Sequence, residues 1–272
     1  MDPGFLVAFA SGLLATGAIA GVLAGLLGIG GGIVIVPVLY QVLTWLGFDA
    51  EVRMHLAVGT SLMTIVATSL ASARAHYHRG SLDTELFKSL AGGVLLGALA
   101  GVAVAMRVTG EALTGVFAFV ALLVALNMAL RPANTAVAAR LPRGWPSWGV
   151  GGVIGGFSVI MGIGGGTLSV PILTAVAVPI RRAVGTASAI GVLIAVPGAV
   201  GFALSGWYTP GLPPLSLGYV NLVGFALITP MSVLSAPLGA RLAHSLPPTA
   251  VRLFFAGFLL ATAVRMSWDL LA

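Results

Sequence analysis

The sequence contains no cysteine and very few charged residues. Among its 272 residues, Asp, Glu, Lys and Arg together make up 7%, whereas 58% are hydrophobic. The absence of cysteine excludes disulfides, thiolate metal sites and cysteine nucleophiles. Soluble domains carry about 25% charged residues, so this chain cannot cover a surface that faces water. Lipid must therefore be its solvent.

Long apolar runs recur from Phe5 to Leu271 and leave no stretch for a soluble domain. A helix needs about 20 residues to cross ~30 Å of hydrocarbon. Ten helical segments are predicted, at about 5–27, 33–46, 54–75, 86–106, 113–130, 149–161, 168–178, 183–204, 217–242 and 249–271. The second and seventh segments are too short to cross alone, which predicts half-helices. The fold class is thus an all-α polytopic membrane protein with 8–10 membrane segments.

The few charges indicate membrane topology. The formal net charge of +6 comes from basic residues that occur singly in short loops. This pattern is typical of loops beside a membrane, so we expect no nucleic-acid partner. The N-terminal MDPGF has an acid and no basic region, which predicts a retained first span rather than a cleaved signal.

A glycine-rich block occurs twice and defines an internal repeat. It reads GIGGGIVIVPVL from Gly28 and GIGGGTLSVPIL from Gly162. The corresponding pairs are Gly30 with Gly164 and Pro37 with Pro171 at an offset of 134, Gly59 with Gly185 at 126, and Gly101 with Gly239 at 138. Blocks in the same order predict a first repeat at 1–130, a cytoplasmic linker at 131–148 and a second repeat at 149–272.

The distribution of basic residues predicts that the repeats are inverted. If each glycine-broken pair enters and returns, a half has five elements and the second half points the other way. With the N-terminus outside, ten basic residues then face the cytoplasm and three face outside, whereas parallel repeats divide them seven to six. The positive-inside rule favours inversion in a bacterial-type plasma (inner) membrane.

The two glycine tips are the predicted substrate site. In inverted repeats, both half-helices point their N-termini at the midplane, where free N–H groups and the helix dipoles attract anions. Pro37 and Pro171 mark the helix breaks and free the carbonyls of Ile33 and Thr167. The predicted substrate-binding residues are Gly30, Gly31, Gly32, Thr60, Ser61, Gly164, Gly165, Gly166, Thr167, Thr186 and Ser188. Close packing of the glycines, and hydroxyls that bond within or between helices, are the alternative interpretations.

Charge is absent from the middle of every predicted segment, which disfavours a proton relay through a buried carboxylate. The densest polar cluster contains Arg74, His76 and Arg79, which we interpret as a vestibule or gate. Charges that only set topology are the alternative. Two histidines two residues apart make a poor metal site, so no metal and no cofactor are predicted.

Together, the two GIGGG blocks, AVGTS and AVGTA, HYHRGSLD, GYVNL and APLGARLAH resemble the TauE/SafE sulfite exporter family, also called the toluene-sulfonate uptake permease family. The resemblance covers essentially the whole chain. It implies a polytopic transporter of small sulfur-containing anions such as sulfite, sulfoacetate and other sulfonates. Ala187 stands where the first repeat has Ser61, so the half-sites need not contribute equally.

The leading hypothesis is a transporter, exporter or importer, that moves such anions by alternating access around the glycine tips. A channel-like anion pore and a permease for a non-sulfur organic anion are the alternatives. An enzyme is disfavoured because no nucleophile, metal cluster or acid pair lies at depth. A small anion and the lipid bilayer are the expected partners, and the sequence leaves the oligomeric state open.

Overall fold

The structure, a computed structural model, describes residues 3–27, 31–130 and 144–271. These residues form helices and one short hairpin. The helices are α1 Pro3–Leu27, α2 Gly32–Trp45, α3 Ala50–His78, α4 Thr84–Ala105, α5 Gly110–Leu130, α6 Trp145–Met161, α7 Gly165–Ala175, α8 Ile180–Ser205, α9 Leu222–Ser245 and α10 Pro248–Leu271. Between α8 and α9, strands β1 Ser216–Leu217 and β2 Val220–Asn221 pair antiparallel, with Ser216 opposite Asn221.

The predicted fold class is confirmed. Seven of the described helices, α1, α3, α4, α5, α8, α9 and α10, are long and apolar enough to cross a membrane. The helices that follow the glycine blocks are too short to do so, since α2 has 14 residues and α7 has 11. The chain is therefore an integral multi-pass membrane protein that contains two half-helices.

Three predicted details are corrected. The ninth helix begins at Leu222 rather than near 217, because the β-hairpin and the capping residue Asn221 precede it. α7 covers Gly165–Ala175 rather than 168–178. Pro37 and Pro171 lie inside α2 and α7, which continue through them, so neither proline ends a helix. Each proline lies in the second turn and removes one i→i−4 hydrogen bond, to the carbonyl of Ile33 or Thr167, while the helix continues beyond it.

Glycines allow two equivalent helix pairs to approach closely. A Cβ added at Gly101 of α4 would lie 2.7 Å from the carbonyl oxygen of Gly156 of α6. A Cβ at Gly239 of α9 would overlap the carbonyl oxygen of Val22 of α1. Gly239 and Val22 are the repeat equivalents of Gly101 and Gly156, so the α1–α9 and α4–α6 contacts are the same contact made twice. In lipid the hydrophobic effect does not drive helices together, so close van der Waals packing between small residues stabilises these helix pairs instead.

The corresponding helices α3 and α8 run in opposite directions. Gly198 of α8 contacts Leu62 of α3, and Gly191 contacts Ser69, so the numbering rises on one helix as it falls on the other. Antiparallel corresponding helices are what inverted repeats require. Below, the basic end of the bundle is the end where α3 finishes and α8 begins, where Arg79, Arg181 and Arg182 lie.

Candidate functional site

The first turns of the two half-helices meet near the centre of the bundle. α2 begins at Gly32 after the N-cap Gly31, and α7 begins at Gly165 after the N-cap Gly164. A Cβ added at Gly32 would lie 3.0 Å from Cα of Ile163, so the two tips touch. Neither N-cap has a side chain that accepts a hydrogen bond. The N–H groups of Val34 and Thr167 donate to the N-cap carbonyls, whereas those of the first two residues of each helix have no side-chain cap in the described part of the chain.

Both tips line one cavity of about 470 Å³. The tip residues on its wall are Gly31, Gly32, Gly164, Gly165 and Gly166. Apolar side chains such as Ile35, Ile65 and Val170 form most of the remaining wall. None of the described lining residues carries a charge. An anion in this space would thus be stabilised by backbone dipoles rather than by a cationic side chain.

Hydroxyl groups follow the cavity from the tips towards the basic end. They belong to Thr64, Thr68, Ser69 and Ser72 of α3, Ser188 of α8 and Ser232 of α9. Thr64 is 1% exposed, whereas Ser72, two turns nearer the basic end, is partly exposed. On the antiparallel α8, the wall continues to Val184 near the start of that helix. The cavity therefore extends from the tips to the basic end.

Most of these hydroxyls already donate their proton to a backbone carbonyl. Thr64 donates to Thr60 O at 3.0 Å, and Ser188 donates to Gly185 O at 2.7 Å. Such hydroxyls offer lone pairs to the cavity. Ser69 and Ser72 have no hydrogen-bond partner in the described part of the chain, so their protons are available to a ligand.

The structure brings six of the predicted substrate residues to this cavity: Gly31, Gly32, Gly164, Gly165, Gly166 and Ser188. Gly30 lies outside the described residues. Sequence analysis missed Thr64, Thr68, Ser69, Ser72 and Ser232. The first four recur at helical spacing, one to three turns after the predicted Thr60 and Ser61, and that spacing was the signal available.

Thr60 and Thr186 do not line the cavity and have equivalent structural partners. The Asn221 N–H donates to Thr60 Oγ1 at 3.0 Å, and the Asp83 N–H donates to Thr186 Oγ1 at 3.2 Å. Asn221 and Asp83 are the N-caps of α9 and α4. Each threonine therefore ties the start of a helix in the other repeat, which is the alternative that the sequence left open.

Ser61 and Thr167 also lie outside the cavity wall. Ser61 Oγ donates to the carbonyl oxygen of Gly162 at 2.7 Å and so fixes the left-handed turn that ends α6. Thr167 is 7% exposed, and its hydroxyl has no hydrogen-bond partner among the described residues. The chain at the second tip is thus held by a hydroxyl from the first repeat.

A second cavity of about 430 Å³ lies at the basic end. His76, Arg79, Ser81 and Arg181 line it, and His76 Nδ1 is 2.8 Å from Ser81 Oγ. Val184 lines both cavities, so they adjoin. Of the predicted vestibule residues, His76 and Arg79 are on this wall, whereas Arg74 is exposed and does not line it.

Comparison with known proteins gives one consistent result. Residues 13–266 match the family model described as sulfite exporter TauE/SafE. The chain is 36% identical to a probable membrane transporter protein of Haemophilus influenzae, over 93% of this chain and 96% of that protein. It is 26% identical to another of Methanocaldococcus jannaschii, over 91% of each chain. No solved structure matches.

Proposed function

Because this membrane transporter belongs to the TauE/SafE sulfite exporter family, we propose that it carries small sulfur-containing anions, such as sulfite, sulfoacetate or other organosulfonates, by alternating access. The observation that carries the proposal is the single uncharged cavity shared by two uncapped helix N-termini. Its N–H groups would hold the oxyanion, and Ser69 and Ser72 would donate hydrogen bonds along the exit path.

The uncharged wall suits transport rather than storage. A buried cation would pair strongly with an oxyanion, and its release would leave an unpaired charge. Backbone N–H groups stabilise the anion without that penalty, so it can leave in either direction. The adjoining cavity with Arg79 and Arg181 would raise the local anion concentration at the basic end.

Among the described residues, the cavity adjoins the basic end and helices pack closely beyond the tips, which favours a transporter over an open pore. On the far side of the tips, Leu62 packs against Gly198, and the Asn221 N–H binds Thr60. We assign this conformation as open to the basic end, which the positive-inside rule makes cytoplasmic. Single cysteines at exposed Glu85 and Tyr208 should then react with an impermeant maleimide from opposite sides of the membrane.

Ligand-induced thermal shift tests the site. Sulfite, thiosulfate, sulfoacetate, taurine, sulfate and a short fatty acid are each added to the purified protein and to Gly31→Leu. The nearest described atoms to a Cβ at Gly31 are side-chain atoms of Ile35 at 3.4 Å and Ala24 at 3.7 Å, so the variant should fold with a blocked cavity. Gly257→Leu is the matched control, since nothing lies within 4 Å of a Cβ there.

We expect a small sulfur anion to raise Tm for the parent and for Gly257→Leu but not for Gly31→Leu. Equal shifts in all three proteins would place the site elsewhere, and stabilisation by the fatty acid alone would favour a non-sulfur permease. With the stabilising anion in proteoliposomes, saturable counterflow supports a transporter. Unitary currents would instead identify a pore.

A further inference from the structure

One buried ionisable side chain is not part of the proposed anion path. His55 lies in the second turn of α3, at the end of the bundle opposite the basic end, and is 6% exposed. Its Nδ1 is 3.1 Å from the carbonyl oxygen of Glu51, and its Nε2 is 3.3 Å from that of Ala105. The predicted third segment began near residue 54, so the sequence placed His55 at a boundary. Asp49 caps α3 and starts it at Ala50, which puts His55 inside the helix.

The two carbonyl partners favour a ring that carries two protons. A neutral imidazole has one N–H and one lone pair, whereas a carbonyl oxygen only accepts. Only the doubly protonated ring donates to both oxygens. Ala105 is the last residue of α4, so its carbonyl has no intrahelical donor and lies at the negative end of the helix dipole.

The ring also contacts the hairpin that covers this end. It stacks on Tyr219 with centroids 4.7 Å apart, and the Phe202 ring is 6.1 Å away. The Tyr219 N–H donates to Phe202 O at 3.0 Å. An aromatic face stabilises a cation near it. A protonated His55 therefore joins α3, α4 and the hairpin.

The charged groups nearby are engaged elsewhere. On α3, the Glu51 side chain is exposed, and Arg53 donates to Thr44 at 2.8 Å and lies over Tyr40. After α4, exposed Arg107 donates to Ala103 O, and on α5 Glu111 is exposed. Tyr219 is the titratable group that faces the ring from the hairpin, and α8 presents the uncharged Phe202. No described side chain forms an ion pair with His55, so the carbonyls and Tyr219 are its partners.

We propose that His55 is a proton-binding site that holds the end opposite the basic end closed, and that loss of the proton favours opening there. The repeat equivalent of His55, at the offset of 126, is Arg181, whose charge is permanent. Histidine is the side chain whose charge changes near neutral pH, whereas arginine keeps its charge, so these two equivalent positions differ in their response to protons. The inference rests on the proposed alternating access and couples it to pH.

Cysteine accessibility tests this without any substrate, so a wrong anion assignment cannot affect the result. Val58 is 0% exposed and lies between His55 and the second tip. In proteoliposomes, Val58→Cys is labelled by an impermeant maleimide from the hairpin side. Its rate is divided by that of Tyr208→Cys, which is exposed in the same loop region and corrects for thiol ionisation.

We expect this ratio to be about threefold or more higher at about pH 8 than at about pH 5.5. His55→Gln should make the ratio independent of pH. His78→Gln, at an exposed histidine of the basic end, should keep the parental dependence. A ratio that does not change with pH in the parent, or a change that survives in His55→Gln, would overturn the proposal.

If His55→Gln does not fold, Tyr219→Leu provides the test. It keeps both carbonyl partners and removes the aromatic face together with the hydroxyl that accepts from Thr209, so the ring can no longer hold the hairpin and the pH dependence of the ratio should be lost. Thr209→Val, which removes that hydrogen bond alone, should keep the parental dependence. A parental pH dependence in Tyr219→Leu would overturn the proposed closure of the hairpin by His55.

Discussion

The tips of the two half-helices have nearly the same sequence but different packing. Gly165 lies so close to α8 that a Cβ would overlap the carbonyl oxygen of Ala187 and lie 2.5 Å from the Gly191 N atom. Its equivalent Gly31 has ordinary van der Waals space around it. The position equivalent to Gly191 is Ile65 on α3, which replaces a glycine by a large side chain.

Ile65 explains why the tips differ. Its Cδ1 would be 2.7 Å from a Cβ at Gly32, and its Cγ2 would be 3.4 Å from a Cβ at Gly164. One side chain of the first repeat thus packs against both tips, while the second tip also packs closely against Gly191 of its own repeat. We infer that the second tip is fixed against α8 at Gly165, whereas the first tip has free space at Gly31 and contacts the second tip at Gly32.

The largest predicted effect comes from adding a methyl group at the fixed tip. Gly165→Ala should lower the free energy of unfolding by about 3 kcal/mol, because backbone atoms of α8 cannot yield to the new Cβ. Gly31→Ala should change it by less than about 1 kcal/mol, since the neighbours at that tip are side-chain atoms at ordinary distances. Thermal unfolding in detergent measures both, and equal losses would contradict the inferred difference.

An intermediate effect is predicted at the threonines that tie the repeats together. Thr60→Val should cost about 2 kcal/mol, because the Asn221 N–H would remain buried without an acceptor. Thr186→Val should cost about 1 kcal/mol, since its partner Asp83 is partly exposed and water can replace the lost bond. The same unfolding assay ranks the two variants. A larger loss for Thr186→Val would reverse the comparison.

The sequence was sufficient for the scaffold because each signal was local. Apolar length predicted the spans, and the glycine blocks predicted two half-helices where α2 and α7 lie. The starts of α3 and α9 were predicted several residues away from their caps, Asp49 and Asn221, because hydrophobic periodicity does not show where a cap forms. The glycines of the tips were correctly placed next to one another only once the repeats were taken as inverted.

Side-chain roles depended on contacts that sequence spacing does not contain. Thr60 and Thr186 were predicted as ligands from their equivalent positions, yet their partners are amide groups more than 100 residues away. Thr64, Thr68 and Ser69 line the cavity because the rotation of α3 about its axis turns this face of the helix towards it. Two residues at equivalent positions of the repeats were therefore correctly expected to play the same role. Their positions could not show whether that role is to hold a helix start by a hydrogen bond or to bind an anion.

The smallest effect should separate the two ends of the molecule. Arg181→Gln removes one exposed charge from the cavity at the basic end, and Arg107→Gln removes an exposed charge outside the cavities, after α4 at the other end. For anion entering from the basic end, Arg181→Gln should slow uptake by about twofold at low ionic strength but not at high salt. Dissolved ions at high salt screen the attraction between an exposed arginine and an anion in solution. Arg107→Gln should leave that uptake rate unchanged.

Initial uptake rates of the stabilising anion are measured in vesicles at two salt concentrations and compared between the two variants. A salt-independent loss in Arg181→Gln would instead mean that the guanidinium contacts the anion directly, and equal losses in both variants would mean that only net charge matters.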